Sequence, residues 1–442
     1  MHKKTSYEQL YHQLIAGELK QISTMGIVPF NGWEDFIEHE DLINKLSDCP
    51  FLIKPRFKED RQTKQLLCTA KYLEDQKTYE ISFGIYDFDE EIEALQQFFP
   101  LLDNEYAELK KATQVLICEM FFEGKIMESY LFQLKLLDYL VPEAVAIRDY
   151  SCGKLISHAW LKMTLDDQIL PKYQCLYSVH GVIDEDDQTL WIHTHGLLRC
   201  GLIEVEMLGV PHDTTHHYHG IIDTIVGLML KDGVPHFNEA LTVGYCHETY
   251  LIYAWLPWQK AITLFSKENA DHFLGDANDR KDEAHSEPGG VFLPFVEEIF
   301  CETEFYEDLI SKHPLVLFIS IEETKRMSQL AQQRYPYLQK IFTQHGQEEE
   351  IWRFIAKIAF EIDPKFCTEG KENHEHIWVK ITATNQTELK GTLLEKAYYI
   401  SDLDAEVEVT VPIARITDWM IDSKEINYRL NPELIYLYYQ KN

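Results

Sequence analysis

The chain reads as an α+β protein: several small mixed αβ units, closed by a C-terminal bent antiparallel sheet or half-barrel. Three observations predict this. Segments of period two and of period 3.6 are interspersed along all 442 residues with no repeating strand–helix order. One charged stretch without periodicity, residues 266–290, interrupts them. Beyond residue 346, short strand-like segments follow one another at close spacing.

Residues 5–22 have the pattern of an amphipathic helix. Tyr79, Ile81, Phe83 and Ile85 alternate on one face of a half-buried strand. Asp89 to Phe98 has helical spacing and stops before Pro100, and Gln114 to Phe122 is an apolar strand broken by Glu119. These elements form an N-terminal α+β unit, 1–122. A central αβ unit, 123–266, opens with a helix from Lys125 to Leu140. Strands are expected at Tyr173–Ile183, Thr189–His195 and Leu202–Leu208. Tyr218, Ile221, Ile222, Ile225, Val226 and Met229 then fall on one face of a helix that starts at Thr214 or Thr215 and closes at Gly233. Two further strands, Ala240–Cys246 and Tyr250–Leu256, precede Pro257.

A charged linker or loop is expected at 267–290. An αβ stretch, 291–345, follows, with a strand at Leu315–Ile321 and a helix from Glu322 to Phe342 kinked at Pro336. The C-terminal β-rich unit, 346–442, begins with a helix from Glu349 to Phe360. It continues with strands at His376–Thr384, Glu388–Leu394 and Glu406–Val411, then the segment Pro412 to Ile421. Leu434 to Tyr439 forms an apolar tail that packs on a neighbouring domain or a partner.

The formal charge of −32 is the strongest deviation from average composition. An acidic skin repels phosphates and anionic membranes and favours a basic partner. No run of apolar residues is long enough for a membrane span, and the N-terminus lacks the apolar core of a signal peptide. The nine cysteines are scattered, with no CxxC pair. Together these features predict a cytoplasmic protein that binds neither nucleic acid nor membrane.

Nine of the nineteen histidines fall between 180 and 247. On a strand His193 and His195 share a face with Trp191. A His-x-His pair is a common start to a zinc or iron site, and Cys200, His212, Asp213, His216 and His219 follow closely enough to complete one. His219 and Asp223 stand at i, i+4. No HExxH or HxHxDH pattern selects four ligands among them. The competing reading makes His193 and His195 interior residues satisfied by backbone or by Glu204 and Glu206, with Asp213 to His219 a polar helix start. His247-Glu-Thr249 matches half of a two-histidine phosphoesterase signature, without its second half. There is no G-x-S-x-G elbow, P-loop or G-x-G-x-x-G. Asp418 and Trp419 form either an anchor for the C-terminal unit or a surface that faces a partner.

The segment from Glu349 to Asn427 resembles the bacterial domain-of-unknown-function family 2314. The resemblance rests on His376-Ile-Trp-Val-Lys380, Gly391, Val409-Thr-Val-Pro412 and Ile416-Thr-Asp-Trp-Met420, although Asp404-Ala-Glu406 stands where that family has Gly-Asp. The stretch up to about residue 345 is similar to family 4026, through Trp191-Ile-His-Thr-His-Gly196 and Arg199-Cys-Gly201 leading into Ile203-Glu-Val-Glu206. These resemblances imply a bacterial cytoplasmic context and an association with toxin–immunity systems. They imply no activity.

The expectation is therefore a non-enzymatic protein with no cofactor that binds another protein, as an inhibitor or immunity-type factor does. The contrasting expectation is a metal-dependent hydrolase, using zinc or iron, centred on His193 and His195.

Overall fold

The computed structural model describes residues 7–30, 39–60, 62, 64–183, 189–264, 274–281, 285, 288–367 and 373–439. Among the described residues the chain is α+β, with three sheets, and it divides into two compact units. The first unit comprises Met1–Phe98, Tyr106–Ile156 and Pro171–Ser320; the second comprises Phe99–Glu105, Ser157–Leu170 and Ile321–Asn442.

The first sheet has the spatial order Leu52–Asp60, Gln65–Tyr72, Thr78–Asp87, Gln114–Met120, Ser23–Pro29, Ala144–Asp149, Lys154–Ser157, Gln96–Phe99. Alternation does what the sequence predicts in the strand Thr78–Asp87: Tyr79, Ile81 and Phe83 are buried, while Thr78 and Glu80 are exposed. The helix Ile126–Leu140 packs nine buried residues, among them Tyr130, Phe132 and Leu134. Asp89 to Phe98 departs from the expected helix. It forms a single 3-10 turn, Ile92–Ala94, and then the edge strand Gln96–Phe99. Tertiary pairing overrides local helical spacing there.

The second sheet curls strongly into a half-barrel. Its order is Leu315–Leu317, Leu241–Cys246, Thr249–Pro257, Gly289–Val296, Glu204–Pro211, Thr189–His195, Ser178–Ile183. Glu204–Pro211 runs parallel to Gly289–Val296, and Thr189–His195 is antiparallel to both of its neighbours. Trp191, Leu208, Ala261, Val291 and Leu293 form a core cluster of this sheet. The helix Thr215–Asp232 buries the predicted apolar stripe and ends at Gly233, whose φ of 87° suits a residue without Cβ. Tyr173–Leu176 is a 3-10 turn and not the start of the following strand.

A buried ion pair ties the first two sheets together. Arg199 Nη1 and Nη2 donate to Asp149 Oδ1 and Oδ2 at 2.8 and 2.9 Å, and Nη2 also donates to the Leu176 carbonyl at 2.7 Å.

In the second unit the sheet is antiparallel throughout, in the order Glu408–Pro412, Glu388–Leu393, His374–Thr384, Trp352–Glu361, Ile416–Ser423. Register shifts between Lys357 and Ile358 and between Ile381 and Ala383 mark β-bulges, which bend such sheets. The expected helix at Glu349–Phe360 is instead the strand Trp352–Glu361. Trp352, Phe354, Ala356, Ile358 and Phe360 are all buried at period two, the pattern of a strand. The expected kinked helix is two helices, Ile321–Gln333 and Tyr335–His345, broken at Arg334, with Pro336 in the first turn of the second. Arg334 is buried and its Nε donates to Asp167 Oδ2 at 2.5 Å. The tail is buried at Ile435, Tyr436 and Leu437 within its own unit, where Tyr436 Oη donates to the Pro100 carbonyl at 2.7 Å.

Candidate metal centre

The strand Thr189–His195 sorts its side chains by parity. Trp191, His193 and His195 occupy one face and Leu190, Ile192 and Thr194 the other. The neighbouring strand sets His180 directly opposite His193, and Ser178 opposite His195. A further ring, that of His285, comes from the stretch read in sequence as linker. The His193 ring lies 4.8 Å from that of His195 and 5.1 Å from that of His285, centre to centre. His180 stands edge-on to His195 at 4.9 Å. One nitrogen on each of His193, His195 and His285 lies within 4.8 Å of the other two.

His193 is the unusual member. It is 3% exposed, and among the described residues neither of its ring nitrogens has a hydrogen-bond partner. Burial, reinforced by the neighbouring rings and Arg280, pushes its pKa down to about 2. Burial followed by His195 and His285 brings His180 down to about 4. At neutral pH both rings are therefore uncharged, which is the form that binds a metal.

His193 makes no hydrogen bond to either carboxylate expected to satisfy it. Glu206 lies in register with His193. Its oxygens accept instead from Arg280 Nη1 at 2.9 Å and from Trp191 Nε1 at 2.9 Å. Glu204 accepts from Thr194 Oγ1 at 2.6 Å and from the amides of Gly196, Leu197 and Leu198. Arg280 is pinned between the rings of Trp191 and Trp258, 4.6 Å from each, and its Nε donates to the Gly275 carbonyl. The stretch that carries His285 is thereby tied to the face that carries His193. Gly289 keeps this possible, because a Cβ there would stand 1.6 Å from Glu206 Oε1.

The remaining sequence candidates lie apart from this trio. His212, Asp213, His216 and His219 line a shallow cavity of about 500 Å³ together with Leu190, which has the opposite parity on the strand. His212 and Asp213 are exposed and 3.8 Å apart, and the His216 ring lies tilted against that of His217, 3.9 Å centre to centre. Asp223 acts on His219, as the i, i+4 spacing predicts. Cys200 is a buried free thiol, pushed up to about 12 by burial, with Arg199, Glu204, Asp149 and Lys20 as its strongest charged neighbours. His247 stacks on His313 instead of approaching His193. Trp419 is fully buried, with its Nε1 donating to the Ala331 carbonyl at 2.9 Å. Asp418 accepts the Trp419 amide, and burial raises its pKa to about 6.

Family models match three stretches. Residues 23–171 match Protein of unknown function (DUF4026) N-terminal, and residues 179–293 match Protein of unknown function (DUF4026) C-terminal. Between them the two parts run across more than half of the chain. The chain belongs to the DUF4026 family. Its residues 323–429 match Uncharacterized protein conserved in bacteria (DUF2314). No curated protein and no solved structure matches. In this DUF4026 chain His180, His193, His195 and His285 all lie within the C-terminal family part. The sequence signal for His180 is its placement opposite His193, which is readable once the two strands are paired. His285 carries no such signal, because charged residues without periodicity surround it.

Proposed function

We propose that this protein binds a divalent transition-metal ion through His193, His195 and His285, and uses it in hydrolysis. One observation carries the reading: His193 is buried with both nitrogens unpartnered, beside nitrogens of two further imidazoles. A buried polar group with no partner costs free energy, and a bound ion would remove that cost at one of the two nitrogens. Tetrahedral bonds of about 2.0–2.1 Å place ligand nitrogens ~3.3 Å apart, so modest side-chain rotation would bring the trio onto one ion. An all-imidazole set favours zinc, copper, nickel or cobalt over magnesium or calcium. Three protein ligands leave a fourth position for water, and a bound zinc ion lowers the pKa of such a water towards neutrality. The Glu206–Arg280 pair would orient the stretch bearing His285, and His180, edge-on to His195, would be a further imidazole beside the trio.

Elemental analysis of untagged protein tests this directly. One equivalent of metal in the wild type, lost in His193→Ala and His285→Ala, supports the reading. A metal-free wild type that takes up no zinc or cobalt on dialysis overturns it.

The charge of −32 favours a second reading, in which the surface binds a basic protein as an inhibitor does. Such binding would weaken steeply with salt and would survive His193→Ala; retention of a partner independent of salt would refute it.

A further inference from the structure

The half-barrel sheet ends on an open edge. Ser178–Ile183 is the last strand in its order and pairs on one side with Thr189–His195. Among the described residues no strand pairs with its other side. His180, Gly181 and Ile183 are exposed, whereas Ser178 is buried and Val182 packs on the Trp191 core cluster, which anchors the strand in place. Alternate residues of an antiparallel strand turn their N–H and C=O groups away from the paired neighbour, so this edge presents a row of main-chain donors and acceptors.

Sheet edges are ordinarily blunted by charge, proline or shortness, because an open edge recruits other chains. Other edges of this protein follow that rule. Leu52–Asp60 carries Lys54, Pro55 and Arg56, Glu408–Pro412 begins with an acid and ends with a proline, and Leu315–Leu317 has three residues. Ser178–Ile183 reads Ser-Val-His-Gly-Val-Ile, six residues without proline, acid, lysine or arginine. Its one imidazole, His180, is uncharged at neutral pH. Two copies meeting edge to edge would each bring a charge of −32, which opposes self-pairing, and the same charge attracts a basic chain. We infer that this edge takes up an extended segment of another protein, bearing lysine or arginine, as an added strand. Main-chain hydrogen bonds hold the segment, and its side chains alternate between the face of His180 and the face of Val179 and Ile183. The inference rests on the second reading above, in which the partner is a basic protein, and is independent of the metal.

An acetylated heptapeptide of alternating lysine and valine is a suitable probe, added to the full chain and followed by calorimetry and hydrogen–deuterium exchange. It should bind, and at saturation it should slow exchange within residues 179–183 by about tenfold or more. The same peptide N-methylated throughout keeps every side chain but loses every main-chain donor, and should not bind. Glutamate in place of lysine should weaken binding about tenfold or more at low salt. Ile183→Lys, at a position 52% exposed, charges the edge and should weaken the basic peptide about tenfold. Equal binding of the methylated peptide, or binding that leaves residues 179–183 unprotected, overturns the edge assignment and leaves the basic partner standing. No binding of the lysine peptide overturns the assignment, and equal binding of the glutamate peptide overturns the basic partner with it. A dimer that dissociates in Ile183→Lys would place a second copy on the edge and overturn the inference too.

Discussion

Replacing His193 by leucine should change the protein's stability in opposite directions with and without metal. In the metal-free protein the side chain is 3% exposed and its two nitrogens are unanswered. Burying such polar atoms without partners costs about 1–3 kcal/mol, which an apolar side chain of similar volume would recover. The substitution also loses the ring contact with Trp191 at 4.4 Å, worth about 0.5–1.5 kcal/mol. The net result is a gain of about 1 kcal/mol in the presence of a chelator. With free zinc a thousandfold above its Kd, the wild type should gain about 4 kcal/mol by mass action. The variant, left with His195 and His285, should gain little. Urea unfolding in EDTA and in buffered zinc reads both terms on one axis. If His193→Leu destabilises the chelated protein, the imidazole has a partner after all and the reasoning fails. It fails equally if zinc leaves the wild type unchanged.

Acid should weaken the metal-free protein in a defined window. The folded-state pKa of His193, about 2, lies below its ordinary 6.5. The unfolded chain therefore binds the extra proton first, and stability falls as the pH drops below 6.5. From pH 6.5 to 5 the loss from this residue is about 1.6 kcal/mol, because the slope starts at half of 1.36 kcal/mol per pH unit at the unfolded pKa and approaches the full value below it. His193→Leu should flatten the stability profile there, as chemical denaturation at stepped pH would reveal. Asp149→Asn leaves the fully buried Arg199 without its counter-charge and should destabilise by about 3–5 kcal/mol. A double replacement, Asp149→Leu with Arg199→Met, should recover much of that loss; an additive loss would contradict this account.

Legibility in the sequence followed the physics of each segment. Thr189–His195 was plain, because period-two alternation is a backbone property and places His193 beside His195 whatever surrounds them. The helix Thr215–Asp232 was equally plain, since its stripe and its closing glycine agree. Trp352–Glu361 carries a double pattern: its polar residues Arg353, Lys357 and Glu361 recur every four positions, which fits a helix face, while the buried Trp352, Phe354, Ala356, Ile358 and Phe360 recur every two. The grouping of His212, Asp213, His216 and His219 with His193 relied on nearness along the chain. Strand parity instead sets their cavity beside Leu190. His285 and Arg280 were beyond reach, because a turn without periodicity owes its position to distant contacts such as Glu206, 74 residues away from Arg280.

The second unit gathers its parts from three separate stretches of chain, and this bears on how it can be made. The helix His158–Asp167 depends on Arg334, which follows Asp167 by 167 residues. During synthesis that helix leaves the ribosome long before Arg334 exists, so the face that Arg334 meets must wait uncovered, although Trp160 can already stack on Phe99. Excising 323–429 as a minimal fragment would strand the same surface from the other side, and such a fragment should be isolated only with Ser157–Leu170 supplied.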